Sequence, residues 1–287
     1  QPGGESAHTL WHHLNLAISA AGSRRLRGWI ERPLADLARI AARQEAVAAW
    51  QGSGVARGAF RDTLRGLPDV ERLAARLACE RATPRDLGAL RDATGRLPAI
   101  AATLEAWPAA RAALALPPDL HQLLRRSLSD EPPSVSRDGG VIRPGFDALR
   151  DELHALAHSG KRWIAELEVA ERSRSGIPSL KVGYNRVFGY FLEVTRTHLD
   201  KVPADYERRQ TLTTAERFIT PSLKAKESEV LSAEERLRAR EHELFVEIRA
   251  SAARHIEALA RASDALAALD AEAALAEVSS RYGWIRP

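Results

Sequence analysis

Residues 179–195 read SLKVGYNRVFGYFLEVT, and this stretch alternates between apolar and polar positions, whereas the sequence on both sides follows a helical period. Leu180, Val182 and Tyr184 fall on one face of a predicted strand. After Asn185, which suits a turn, alternate positions are apolar again at Phe188, Tyr190, Leu192 and Val194. The stretch therefore predicts a β-hairpin, and its place between two helical segments puts it at the tip of a stalk.

The stalk is predicted to be a pair of long antiparallel helices. In the first helix, apolar residues recur at steps of three and four, which is the spacing of a heptad seam. The seam consists of Phe146, Leu149, Leu153, Leu156, Gly160, Trp163, Leu167 and Ala170. The second helix begins where Thr220 provides an N-cap and Pro221 the first helical residue. If this helix is unbroken to Val278, it has about 58 residues and is roughly 87 Å long.

The remaining sequence completes the predicted architecture. Residues 1 to about 130 show short helical patterns separated by polar loops, which predict a compact α-helical domain. The predicted fold is therefore mainly α, with a helical core, two long antiparallel helices and a small inserted antiparallel β domain. We expect the core and the first long helix in residues 1–170, the inserted domain in 171–232 and the returning long helix in 233–287.

Composition excludes several classes of protein. The single cysteine, Cys79, rules out a disulfide framework, and its place in an apolar helical run predicts a small buried side chain. No apolar run reaches the ~18 residues of a membrane span. The 287 residues contain no Met and begin with Gln-Pro-Gly-Gly, which indicates a piece cut from a longer protein.

Motifs for catalysis and metal binding are missing from the sequence. There is no Gly-x-x-x-x-Gly-Lys-Ser/Thr phosphate loop, no His-Glu-x-x-His and no Gly-x-Ser-x-Gly. His12 and His13 are adjacent, so on a helix they point in different directions and are expected to be surface residues. We therefore expect no catalytic, cofactor or metal site in this chain.

Positive charge is concentrated in the inserted domain. The whole chain has a net charge of +4, whereas residues 171–232 hold eleven Lys and Arg against eight Asp and Glu. Arginine and lysine contacts to phosphates give affinity without reading sequence. The residues placed to make such contacts are Arg186 in the turn, at least one of Arg208 and Arg209, Arg217, and Lys224 and Lys226 near the helix start.

Two purely structural interpretations of residues in the inserted domain stay open. The basic side chains could be solubilising charges paired with Glu207, Glu216 and Glu227. The hairpin aromatics could stack on bases, but they alternate with aliphatic residues, so we expect them in the core of the inserted domain. These aromatics are Tyr184, Phe188, Tyr190 and Phe191.

The hairpin sequence resembles the clamp region of the MutS family of DNA mismatch repair proteins. The similarity runs through residues 179–185 and 187–195 and continues through 208–212 and 215–221. Upstream segments are similar to the core domain of the same family, at residues 22–27, 69–73, 84–87 and 142–147. The resemblance therefore covers essentially the whole chain.

This resemblance implies a modular, dimeric parent protein with a mismatch-reading domain, a connector, a core with lever helices, a clamp and a C-terminal ATPase. The present chain would hold only the core, the levers and the clamp, so ATP and Mg would bind elsewhere in the parent. The partners implied are double-stranded DNA, a second copy of the parent and the MutL repair protein. The location implied is the cytoplasm, at the nucleoid.

In this family the clamp contacts the DNA backbone non-specifically, and the levers link it to the ATPase. Carried over by position, the resemblance implies DNA-backbone contacts by Lys181, Asn185, Arg186, Arg209, Arg217, Lys224 and Lys226. We therefore expect a non-catalytic lever and clamp module that embraces duplex DNA without reading a mismatch. The alternative is a coiled-coil arm whose tip docks a protein partner and does not bind DNA.

Overall fold

The computed structural model describes residues 9–185, 187 and 189–286, which form mostly helix with one small antiparallel sheet. The predicted mainly α fold class is confirmed. The helices are α1 (Leu10–Leu14), α2 (Ala20–Glu31), α3 (Leu37–Gly52), α4 (Gly54–Thr63), α5 (Val70–Ala78), α6 (Pro84–Ala102), α7 (Pro108–Ala113), α8 (Pro118–Ser127), α9 (Ala148–Ser175), α10 (Pro221–Ala253) and α11 (Ile256–Tyr282). The strands are β1 (Lys181–Asn185), β2 (Gly189–Thr195), β3 (Glu207–Thr211) and β4 (Ala215–Ile219).

The chain divides into two compact units. Unit 1 consists of residues 1–136 and 245–287, and unit 2 of residues 137–244. Unit 2 is thus one continuous segment inserted between the two parts of unit 1. Among the described residues, no helix is both long enough and apolar enough to cross a lipid bilayer.

Unit 1 is built around α11, which packs against α2, α3 and α5. Asp270 of α11 is completely buried and accepts hydrogen bonds from the backbone N–H groups of Ile18 (3.0 Å) and Ser19 (2.7 Å). It also accepts one from the Ser19 hydroxyl (2.6 Å), and Ser19 is the N-cap of α2. Gly22 lies directly against this carboxylate, since a Cβ there would come within 2.6 Å of Asp270 Cγ. The start of α2 is therefore fixed on the centre of α11.

A second acid, partly buried, lies further along α11. Burial raises the pKa of Glu272 to about 7, although the nearby Arg43 guanidinium opposes the shift. In unit 1 the fully buried Trp50 ring also stacks on Phe60 and on Trp107, with centroid distances of 5.0 and 4.0 Å. Aromatic stacking therefore fills the core beside α3.

The returning long helix is interrupted. α10 ends at Ala253 and α11 begins at Ile256, and a turn separates them. The N–H groups of Arg254 and His255 bond to carbonyls three residues earlier, which tightens the backbone there. The helix is therefore not continuous to Val278, a point that the sequence left open. No proline or glycine marks the break, so the helical period runs through it in the sequence.

Cys79 is exposed, so the expectation of a buried side chain is also wrong. It is the C-cap of α5, and the next residue, Glu80, turns the chain with a positive φ of 55°. The apolar pattern of α5 therefore stops short of Cys79, where the helix gives way to a turn.

In unit 2, α9 and α10 run antiparallel and are joined by side-chain contacts. The buried positions of α9 are Arg150, Leu153, Ala157, Gly160, Ile164 and Glu171. Leu149 and Leu156 of the predicted seam are instead exposed, by 44% and 46%. The buried face of α9 therefore differs from the predicted seam. Two of its residues, Arg150 and Glu171, are polar, so a search for apolar residues does not find them. At Gly160 a Cβ would overlap Val230 Cγ2 of α10, so the helices approach closely there.

Ion pairs fix the start of α9 against α10. Arg150 and Glu241, with side chains 7% and 0% exposed, are 2.9 Å apart. The other oxygen of Glu241 accepts a hydrogen bond from the Val141 N–H at 3.0 Å. Asp147, the N-cap of α9, pairs with Arg240 at 2.8 Å, and this bond lowers the pKa of the Asp147 carboxyl. Partners therefore satisfy the buried charges.

The sheet has the strand order β1-β2-β4-β3, and every neighbouring pair is antiparallel. One face packs on the two helices, where Leu192, Val194 and Phe218 share a core with Ile164 of α9 and Val230 of α10. The predicted hairpin corresponds to β1 and β2. Its opposite face is the candidate interface.

Candidate nucleic-acid interface

One row of side chains crosses all four strands on the face of the sheet opposite the core. Lys181 of β1 lies opposite Glu193 of β2, which in turn lies opposite Arg217 of β4. Arg217 lies opposite Gln210 of β3. Because Leu192 and Val194 point into the core, Glu193 between them points the other way, and directly opposed residues share a face. We call these four residues the cross-strand row.

Arg217 is held in place by its neighbours in this row. It pairs with Glu193 at 2.9 Å and donates to Gln210 Oε1 at 2.9 Å, and its side chain is 21% exposed. Its guanidinium also lies 4.1 Å from the centre of the Phe191 ring, which is the geometry of a cation–π contact. The Phe191 ring covers Gly183, where a Cβ would come within 2.7 Å of the ring Cζ. The Arg217 guanidinium is therefore held in a fixed orientation, and the Glu193 carboxylate partly neutralises its charge.

Three of the predicted contact residues are exposed and unpaired within the part of the chain that the structure describes. They are Lys181 at the edge of the cross-strand row, Arg209 and Lys224. Arg209 lies at a bulge, where the pairing of β3 with β4 shifts between Arg208 and Gln210. Unpaired exposed cations of this kind are available to an external anion.

Other basic residues are paired internally, as the solubilising-charge interpretation expects. Lys226 pairs with Glu229 at 2.9 Å, and Arg208 pairs with Glu216 at 2.8 Å. Arg174 binds both Glu171 and Asp205, and Glu171 also accepts a hydrogen bond from the buried Tyr206 hydroxyl at 2.8 Å. Burial is the main cause that raises the pKa of Tyr206, and Glu171 adds to it. These groups serve the internal structure of unit 2.

At the hairpin turn, Asn185 has a structural role. Its Oδ1 accepts a hydrogen bond from the Val187 N–H at 2.8 Å, which is the contact of an Asx turn. Gly189 follows with a φ of 75°, a conformation that favours glycine. Arg186 and Phe188, which the sequence analysis also selected, lie outside the described residues. The proposed DNA contact of Asn185 stays a prediction.

The aromatic residues of the hairpin do not form one cluster. Tyr190 packs against the core of unit 2, as expected. Tyr184 is 52% exposed, because it lies on the edge strand near the turn. Phe191 is buried, but beneath Arg217 on the other face. The expectation that they all belong to the core is therefore wrong for Tyr184, and Phe191 is buried without joining that core.

Two glutamates of the long helices contact the hairpin backbone. Glu168 of α9 accepts a hydrogen bond from the Val182 N–H at 2.7 Å, and Glu227 of α10 accepts one from the Tyr190 N–H at 2.8 Å. Only the solubilising-charge interpretation paired Glu227 with a basic side chain, and nothing in the sequence pointed to Glu168. No sequence signal distinguishes them, since glutamates on long helices are usually solvated.

The arrangement can hold an anion by charge. Among the described residues, no group of three or more His, Cys, Asp and Glu is placed to hold a metal ion. The exposed cations lie on β1, on β3 and on the first turn of α10, and α9 and α10 pack against the core face of the sheet. A long polyanion such as a nucleic acid backbone is the ligand class that such a surface suits.

Comparison with known proteins finds matches to one and the same family. Residues 1–276 match the family described as MutS domain III. The DNA mismatch repair protein MutS of Symbiobacterium thermophilum is 45% identical over 290 residues, which cover 99% of this chain and 33% of that protein. The MutS proteins of Anaeromyxobacter sp. strain K and Salinibacter ruber are 47% and 43% identical over 290 and 284 residues. These alignments cover 99% and 97% of this chain, and 33% and 31% of those proteins. The chain thus spans about a third of the length of these curated relatives.

Proposed function

The chain belongs to the MutS family of DNA mismatch repair proteins, and from this we propose that it is a non-catalytic lever and clamp module that embraces duplex DNA through backbone contacts. The observation that carries the proposal is the exposed, unpaired state of Lys181, Arg209 and Lys224 within the described residues of unit 2. Cations without an internal partner are free to replace counterions on phosphates.

The proposed contacts do not read sequence. Phosphate contacts fix position and supply affinity, whereas base identity is read in the grooves. In the longer relatives, ATP hydrolysis, dimerisation and the MutL contact would belong to the whole protein, and α9 and α10 would couple this clamp to the ATPase. The proposed location is with that DNA, at the nucleoid in the cytoplasm.

The salt dependence of DNA binding tests the proposal. If three cations each neutralise one phosphate, the slope of log K against log salt is about −2.7. Affinity should then fall about 40-fold between 50 and 200 mM salt. Fluorescence anisotropy with a labelled homoduplex and a matched mismatch duplex should give equal affinities. Salt-insensitive binding, or a strong preference for the mismatch, contradicts the proposal.

A matched pair of variants locates the binding surface. Combining Lys181→Gln, Arg209→Gln and Lys224→Gln removes the three unpaired cations, and the slope should fall almost to zero. Combining Arg85→Gln, Arg111→Gln and Arg126→Gln removes the same charge from exposed, unpaired positions within the described part of unit 1. This control should bind like the parent chain. Equal losses in both variants would show that only total charge matters.

The arm interpretation has one observation in its favour. Val187 at the hairpin turn is 79% exposed and Tyr184 is 52% exposed, so the tip presents apolar surface. If the cation-free variant folds and binds DNA unchanged, a protein partner at this tip becomes the better proposal. Val187→Ser would then weaken capture of that partner and leave DNA binding as it was.

A further inference from the structure

We propose that Glu168 and Glu227 position the hairpin, and we call this pair of side chains the carboxylate latch. The latch holds β1 and β2 on α9 and α10 by hydrogen bonds to backbone N–H groups, and so sets where Lys181 and the turn are presented. Its importance for DNA rests on the proposed function, but its structural role can be measured without DNA.

Within the described residues, the two N–H groups that the latch binds have no partner strand on that side. β1 is an edge strand, so the N–H of Val182 that points away from β2 has no strand to bond to. β2 pairs with β4 only from Leu192 onward, so the Tyr190 N–H lies beyond the end of β4. A carboxylate supplies the missing acceptor in each case, at 2.7 and 2.8 Å. Such charge-assisted bonds are stronger than neutral ones.

The space around Glu227 is built for this contact. Gly189 precedes Tyr190, and a Cβ on Gly189 would overlap the Glu227 carboxylate, with the Cδ at 2.7 Å. Gly189 also adopts a φ of 75°, so glycine serves both the turn and the approach of the helix side chain. A glutamate that pointed into solvent would not require a residue without a Cβ beside it.

Glu168 is supported by a second contact to the same strand. Arg172, one turn further along α9, pairs with Glu168 at 2.6 Å and donates from Nε to the Leu180 carbonyl at 2.7 Å. The two side chains of α9 therefore hold the backbone on both sides of Lys181. α10 holds the other strand through Glu227, so each long helix grips one strand of the hairpin.

The latch and simple electrostatics predict opposite effects on DNA binding. A glutamate near a phosphate-binding surface repels the duplex, so its removal should tighten binding if charge alone matters. If Glu227 positions the hairpin, Glu227→Ala should weaken DNA binding several-fold despite the lost negative charge. Glu229→Ala is the matched control, because Glu229 lies on the same helix and pairs with Lys226. This control should bind DNA as tightly as the parent or more tightly.

Hydrogen exchange of single amides, followed by NMR, tests the latch directly. Glu227→Ala should speed exchange at Tyr190 about tenfold and leave Leu192, which β4 protects, unchanged. Glu227→Gln keeps an acceptor oxygen and should restore most of the protection. Glu168→Ala should act in the same way on Val182. Unchanged exchange at Tyr190 and Val182, or equal acceleration at Leu192, overturns the latch.

The DNA measurement then decides whether the latch positions the proposed interface. Faster exchange at Tyr190 together with tighter DNA binding by Glu227→Ala overturns the positioning role. Failure of the proposed function appears separately, as absent DNA binding by the unmodified chain at low salt. In that case the exchange measurements still decide whether the latch exists.

Discussion

Gly160→Ala should destabilise unit 2, although the same change usually stabilises a helix. Alanine is favoured over glycine by about 1 kcal/mol in a helix interior. At Gly160, however, a Cβ would overlap Val230 Cγ2, well inside the 3.0 Å that real Cβ contacts keep. Val230 is 1% exposed and β-branched, so its side chain has little freedom to rotate away. Overpacking of this kind costs roughly 1–3 kcal/mol, so after the gain in helix propensity we expect a net loss of about 1 kcal/mol.

A second substitution should reverse the sign of this effect. Val230→Ala removes Cγ2, and the nearest remaining atom, the Cβ of residue 230, lies 3.5 Å from the new methyl group. That is an ordinary contact distance, so in this background Gly160→Ala should stabilise by about 1 kcal/mol through helix propensity. The coupling between the two sites is then about 2 kcal/mol, which is typical of residues in direct contact.

Urea denaturation followed by far-ultraviolet circular dichroism measures all four members of this cycle. Gly28→Ala in α2 is the control, because no atom of the described residues lies within 4 Å of its Cβ position, and it should stabilise by up to about 1 kcal/mol. The m-values must stay constant for the comparison to hold. If Gly160→Ala costs the same free energy with valine and with alanine at position 230, the close approach of α9 and α10 is refuted.

Three further predictions concern polar groups that are buried or partly buried. Glu272→Gln should remove a pH dependence of unit 1: the folded pKa of about 7 exceeds the ordinary value of 4.5, so stability falls as pH rises from about 4.5 to 7. Urea titrations at several pH values test this, with the exposed Glu257→Gln as the control, and an unchanged pH dependence would argue against a raised pKa of Glu272. Glu241→Ala should lower the free energy of unfolding by about 3 kcal/mol, because Arg150 loses its buried partner. In the same urea assay, substitution of an exposed glutamate, Glu235→Ala, should change it by less than about 0.5 kcal/mol. Similar values for both variants would contradict the burial of the pair. Gly22→Ala should destabilise unit 1 by roughly 1–3 kcal/mol, because the new methyl group overlaps the Asp270 side chain. A melting temperature equal to that of Gly28→Ala would show that Asp270 can move aside without loss of stability.

Alternation and helical spacing were sufficient to predict the hairpin and the two long helices. These patterns succeed where the buried residues are apolar, as at Leu192, Val194 and Ile164. They fail where a buried residue is polar, since Arg150 and Glu171 occupy the α9 seam that the sequence assigned to leucines. They also fail at Arg254 and His255, because a turn without proline or glycine leaves no composition signal.

The candidate site was predicted less well than the fold, for a related reason. A sequence shows where cations occur but does not show which anions neutralise them in three dimensions. Arg217 and Lys226 have partners in the structure, whereas Lys181, Arg209 and Lys224 are unpaired among the described residues. Glu168 and Glu227 could not be selected at all, since their partners are backbone N–H groups whose position depends on the strand ends.

The contacts of Asp270 have a consequence for biosynthesis. Ile18 and Ser19 bond to a side chain about 250 residues later, so the start of α2 cannot be fixed on α11 until α11 has left the ribosome. Unit 2 is contiguous and can assemble first, although domains nearer the N-terminus generally fold first during synthesis. For a chain made at roughly 5–20 residues per second, the opening segment waits on the order of 10 s or more with its apolar surface uncovered. The apolar surface of unit 1 therefore stays uncovered longer during synthesis than that of the contiguous unit 2.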